Sequence, residues 1–147
     1  MAVVAGPDLY GMTAGGVVVL PRCGEFDADL PVITGVDPAL VHPGERICDP
    51  RLQRALRALC LYERAGAEAL APLSEIHVGG DGIVMYTVGA ATEILLPEGD
   101  IDSAMRRLAA VLADLRGRGT TADYIDLRFR RPVVRPRDAG TYREQGA

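Results

Sequence analysis

A chain of 147 residues, 48% hydrophobic and 24% charged, has the make-up of an ordinary globular domain and can bury a core without disulfides or metal. Its net charge of -4 argues against a generally basic nucleic-acid binder, and no stretch is long and apolar enough to span a bilayer. Cys23, Cys48 and Cys60 are odd in number, contain no Cys-x-x-Cys pair, and specify neither a disulfide framework nor a zinc site. Every basic residue is an arginine, which reads as coding composition and carries no mechanistic weight. Met1 to Leu20 lacks a basic leader and is broken by Pro7 and Asp8, so it is not a secretory signal; composition alone describes a soluble cytoplasmic protein.

In chain order, Val3-Val4-Ala5, Leu9 to Met12 and Val17 to Leu20 predict short strands between glycine turns, too few to bury a face alone. They look like the tail of something larger or a packing flap. A polar stretch with Pro21 and Gly24 leads to a short apolar strand, Leu30 to Thr34, closed by Gly35. After a Pro- and Gly-bearing loop (37–45), Asp49 is the expected N-cap of a first helix with Pro50 at its first position. Its stripe is Leu52, Leu56, Leu59, Cys60 and Glu63, so Cys60 is expected buried and inert, and Arg51, Arg54, Arg57 and Arg64 form a solvated face. Gly66 stops it.

A meander follows. Leu73 to Val78 turns through Gly79-Gly80-Asp81-Gly82 into Ile83 to Val88, and Gly89-Ala90 leads to a third strand, Ala91 to Leu96. His77 alternates with Ile76 and Val78 and is expected to face solvent. The second helix opens near Asp100 or Asp102, carries Ile101, Met105, Leu108, Val111, Leu112 and Leu115 on one stripe, and closes at Arg116, Gly117 and Gly119. The last strand, Tyr124 to Arg131, alternates strictly: Ile125, Leu127 and Phe129 on one face, Tyr124, Asp126, Arg128 and Arg130 on the other. With Pro132 just past its end it reads as a sheet edge. Residues 137–147 read as a disordered tail. The order of elements predicts an α+β fold, a mainly antiparallel sheet with two principal helices on one face and a C-terminal edge strand.

Groups that could carry chemistry are sparse. Gly79 to Gly82 sits between strands and matches no phosphate loop. His42 and His77 have no metal-ligand spacing, and Asp123 and Asp126 on a strand point to opposite faces. Catalytic residues, cofactor and metal are therefore each expected to be none. The strongest charge feature is Arg128, Arg130, Arg131, Arg135, Arg137 and Arg143. Three readings stand: the arginines keep an edge from self-pairing, they meet acidic side chains of a partner, or they bind nucleic acid.

The span from Asp29-Leu30-Pro31-Val32-Ile33-Thr34-Gly35 to Tyr124-Ile125-Asp126-Leu127-Arg128-Phe129 resembles the periplasmic β domain of the FtsQ/DivIB cell-division proteins. That family carries a Leu-Pro-x-hydrophobic-x-Gly opening and a later Tyr-hydrophobic-Asp-Leu-Arg-aromatic strand, here in the same order. The resemblance divides the chain into residues 1–28, a remnant of a POTRA-like hairpin, residues 29–136, the β domain, and the tail. The family's membrane helix and most of its POTRA domain are absent from the sequence, so a membrane would be reached only through a missing N-terminal anchor. The resemblance implies a non-catalytic scaffold at the extracytoplasmic face of the division site. Its C-terminal edge would take a strand from an FtsB/DivIC-type partner, itself joined to an FtsL-type protein, with no nucleic acid or small-molecule substrate involved. The matching residues are Tyr124, Asp126, Arg128, Phe129, Arg130, Arg131, Val133, Val134 and Arg135. Arg128 would meet a partner carboxylate, so its charge reversal should weaken binding, while Phe129 would offer an aromatic contact and Pro132 removes one donor. Two other readings are a small enzyme or ligand-binding α+β domain with a site near His42 and Glu45, and a purely structural domain packing on the missing POTRA region.

Overall fold

The computed structural model describes residues 2–5, 8–20 and 29–137. The expected Gly6-Pro7 turn, the polar stretch with Cys23, and the tail with Arg143 lie outside them. Among the described residues the strands are β1 (Ala2–Ala5), β2 (Leu9–Met12), β3 (Val18–Val19), β4 (Val32–Thr34), β5 (Leu73–Gly79), β6 (Gly82–Thr87), β7 (Glu93–Leu95), β8 (Ala122–Asp126) and β9 (Val133–Pro136). Among the same residues the helices are α1 (Pro50–Arg64), α2 (Ala67–Leu70) and α3 (Ile101–Gly117), with a 3-10 turn at Pro38–Leu40. All nine strands form one sheet in the order β3-β2-β1-β4-β5-β6-β7-β8-β9.

The sheet is mixed, and connection length explains where. Strands joined by short turns pair antiparallel: β1 with β2, β2 with β3, β5 with β6, β6 with β7, and β8 with β9. A helical crossover returns the chain in the same direction, so β4 and β5 (through α1 and α2) and β7 and β8 (through α3) are parallel. β1 is also parallel to β4, which joins the N-terminal hairpin to the rest of the sheet.

Period-2 alternation sorts the strands into two faces. Beneath the helices runs one cross-strand row, Val4, Ile33, Ile76, Met85, Ile94, Ile125 and Val134, in register and buried except for the half-buried Val134. Leu52, Ala55, Leu56, Ala58, Leu59 and Tyr62 of α1, and Ile101, Ala104, Met105, Leu108, Leu112 and Leu115 of α3, close over it. Both helices start as expected: Asp49 accepts the Arg51 N–H and Asp100 accepts the Ser103 N–H. At Gly35, with φ 79°, an added Cβ would stand 2.3 Å from the Val78 carbonyl oxygen, so only glycine lets β4 end against β5.

Two expectations are corrected here. Cys60 is exposed, because the buried stripe of α1 runs through Ala55, Ala58 and Tyr62 and turns the Cys60 and Glu63 positions outward. Arg54 is not simply solvated; its Nη2 donates to the Pro97 and Gly99 carbonyls and ties α1 to the loop before α3. Residues 2–5 and 8–20 pack into the common core, where Val4, Met12 and Val18 are fully buried.

Candidate functional site at the C-terminal edge

The Tyr124 to Arg131 segment is not one strand. β8 stops at Asp126, and the chain turns over residues 127–132 before returning as β9. Two interactions, one local and one from α3, shape the turn. The Asp126 carboxylate folds forward to accept the Arg128 backbone N–H at 3.0 Å, an aspartate turn that competes with continued extension. Arg107 of α3 then holds the turn, its Nη1 donating to the Phe129 and Arg130 carbonyls at 2.7 Å each.

The consequence is that β8 is second from the edge and β9 is the edge. Leu127 keeps its expected place in the core, and its N–H extends the β7 ladder to the Leu95 carbonyl. Phe129 leaves the alternation and stands 57% exposed, so the turn, not strand parity, decides its direction. Asp126, expected on an outward face, is buried at 5% exposure, its carboxylate held by Arg128. Tyr124 is half-buried on the face away from the helices, between Glu93 and Arg135 in the register. Asp123 takes the ion pair with Arg137 at 2.7 Å and a longer one with Arg135 at 3.8 Å. Arg137, expected in the frayed tail, is thereby held, and its backbone N–H donates to the Thr121 carbonyl.

Arg128 also differs from expectation. Its guanidinium grips Asp126 through Nε (3.0 and 3.2 Å) and Nη2 (2.7 Å). Its first partner is thus inside the chain. The Arg128 hydrogen bonds hold the Asp126 carboxyl below the ordinary aspartate range, against the upward push of burial. A carboxyl with a depressed folded pKa adds stability that is present above its unfolded value, about 3.9, and lost as pH falls through the folded pKa. Asp126→Asn should therefore lower the melting temperature at neutral pH and flatten its decline between about pH 5 and pH 2. Thermal melts across that range check this; parallel acid limbs in the two proteins would show that the pair adds nothing.

Arg130 and Arg131 are exposed and make no ion pair among the described residues. With Arg128 and Phe129, Arg130 lines a cleft of about 490 Å³ whose far wall carries Asp81, Glu98 and Asp100. Val133 is exposed, Val134 packs its side chain on the core, and Arg135 is exposed. Among the described residues the edge therefore presents a cationic turn, an exposed aromatic ring and a short strand with an unpaired backbone side.

The opposite edge of the sheet is closed. Val18 N–H donates to the Glu45 carbonyl, Gly44 N–H donates to the Val18 carbonyl, Ile47 N–H donates to the Gly16 carbonyl, and Val17 bridges to Arg46. The loop that holds His42 and Glu45 is spent on this closure. Both side chains are exposed there, and neither lines the cleft beside Phe129 and Arg130. His77 faces away from the core as expected, but its Nδ1 lies 2.9 Å from the Thr34 hydroxyl, which itself hydrogen-bonds Glu75. No group of three or more metal-ligating side chains gathers among the described residues, and no helix there is long and apolar enough to cross a membrane.

Sequence reasoning missed Arg107, Arg54 and the 44–47 clasp. Nothing in the local pattern distinguishes Arg107 from Arg106 beside it; its role depends on where the turn after β8 lands. Comparison with known proteins agrees with the architecture. A family profile described as "Cell division protein FtsQ/DivIB, C-terminal" matches residues 2–128, thus including the N-terminal hairpin and stopping before Phe129 and β9. The Cell division protein FtsQ of Anaeromyxobacter sp. (strain K) is 35% identical over 103 residues, 70% of this chain and 35% of that protein. That of Syntrophotalea carbinolica is 29% identical over 119 residues, 80% and 42% respectively. That of Geotalea daltonii is 27% identical over 127 residues, 86% and 46%. The chain thus spans less than half the length of each of these relatives. A match across most of the chain makes this chain a member of the FtsQ/DivIB family of cell-division proteins.

Proposed function

We propose that the chain is a non-catalytic scaffold domain of the bacterial division machinery that binds an extended segment of an FtsB/DivIC-type partner, carried with an FtsL-type protein, by strand addition to β9. The observation that carries the reading is the difference between the two sheet edges. The chain closes β3 with its own 44–47 loop and, among the described residues, leaves β9 open. An open edge is an association hazard unless it is defended or used. Around β9 the exposed side chains, Arg130, Arg131 and Arg135, are suited to an acidic strand, and Phe129 offers an apolar contact beside them. In this reading residues 1–28 derive from a POTRA-like hairpin, whose described strands β1 to β3 belong to the same sheet. The domain acts on the extracytoplasmic side of the membrane, held there by an anchor outside this chain.

Arg128 is a poor probe of the interface, because reversing its charge would set a glutamate against Asp126 and cost stability as well. Arg130 and Arg131 are better probes. A peptide from the partner's C-terminal region should bind the 147-residue chain, and the Arg130→Glu/Arg131→Glu double variant should bind it at least about tenfold more weakly, with a flatter salt dependence. Calorimetry at two ionic strengths reads both effects. Unchanged affinity in the double variant would place the peptide elsewhere.

A further inference from the structure

The backbone of β9 is asymmetric in what it can offer a neighbour. Arg137 N–H donates inward to Thr121, so Ala122 and Pro136 oppose each other as a pair whose own backbone groups point away from one another. The irregularity at Ala122/Tyr124 falls on β8, so alternation holds along β9: the backbone of Arg135 and Val133 faces β8 and that of Pro136 and Val134 faces away. Because the Val133 N–H points inward, the carbonyl of Pro132 just before the strand points outward as well. Two of these three outward positions are prolines, which lack an N–H. Among the described residues the open edge therefore presents one donor, Val134 N–H, and three carbonyls.

We infer that this edge is built to accept a donor-bearing foreign strand and to refuse a second copy of itself, a specificity that rests on the strand-addition reading above. An antiparallel partner strand without proline, centred on Val134, would exchange two hydrogen bonds with Val134. It would donate further bonds to the Pro132 and Pro136 carbonyls, giving about four in all. A second copy of β9, paired about Val134, would bring Pro136 opposite Pro132, acceptor against acceptor, and make only about two. The same pairing would crowd Arg130, Arg131 and Arg135 of both copies, which adds like-charge repulsion. The partner this edge fits is thus an acidic extended segment with free backbone N–H groups at every second position.

The test needs no partner. Pro132→Ala/Pro136→Ala restores both outward donors at sites where the prolines make no hydrogen bond that alanine could lose. Sedimentation equilibrium of the full chain should show the double variant self-associating at least about tenfold more strongly than the parent. Adding Val134→Pro to the double variant should return it to the monomer, which places the contact on β9. Far-UV circular dichroism confirms that each variant is folded. A parent chain that dimerises as strongly as the double variant, or a folded double variant that stays monomeric with it, overturns the inference. The two readings fail separately: a dimerising double variant alongside a parent that binds no partner peptide keeps the proline argument and removes the partner. A bound peptide alongside a monomeric double variant does the reverse.

Discussion

Replacing Val134 by proline should abolish binding of the partner-derived peptide, a loss of at least about a hundredfold, while Val134→Ala should keep affinity within about tenfold of the parent. Both substitutions trim the same half-buried side chain, so their shared cost in packing against the core cancels in the comparison. They differ at the backbone. Alanine retains the one N–H that β9 turns outward; proline removes it and puts its ring where an added strand must lie. The missing hydrogen bond alone is worth about 0.5–1.5 kcal/mol, so most of the expected loss comes from steric exclusion of the incoming backbone. Calorimetric titration of the two folded variants with the same peptide decides the matter. Equal affinities would mean that the peptide docks on side chains of the turn, around Phe129 and Arg130, and not on the strand.

Much of this arrangement was legible in the sequence, because local signals there agree with the global fold. The caps at Asp49 and Asp100, the α3 stripe, the Gly79 to Gly82 hairpin and the existence of a C-terminal edge all follow from spacing and turn chemistry. The errors share a cause. Tyr124 to Phe129 has a perfect period of two, yet the structure ends the strand at Asp126, since the aspartate's own side chain offers the next N–H a closer acceptor. Arg107 then fixes the turn from a helix that precedes it by some distance along the chain, and periodicity carries no information about such a contact. Cys60 was misplaced for a related reason: alanines and Tyr62 fill the face of α1 under which the sheet passes, and a stripe counted on leucines alone is rotated away from it. The cationic cluster was visible as composition, but its division into arginines already paired (Arg128, Arg135 and Arg137) and arginines without an ion pair among the described residues (Arg130 and Arg131) depends on the position of two aspartates after folding.

Removing residues 1–28 should unfold the domain or leave it aggregating, although the opening resemblance begins only at Asp29. Val4, Met12 and Val18 are fully buried, and each contributes roughly 1.5–3 kcal/mol of burial, so their loss together is comparable with the whole stability of a small domain, about 5–15 kcal/mol. The truncation also strips β1 from β4. That leaves Val32 and Ile33 on a raw edge without the 44–47 clasp, which closes β3 and has nothing to bind once β3 is gone. The damage would reach the far side of the sheet, because the buried row from Val4 to Val134 is continuous and its members are mutually in register. Circular dichroism and size exclusion of the 29–147 fragment against the full chain check the expectation. A fragment that melts cooperatively near the parent temperature and still binds the peptide would show that the hairpin is an appendage. The expected outcome instead makes it a structural part of the domain that presents β9, so that any POTRA-like origin of residues 1–28 concerns ancestry and not independent folding.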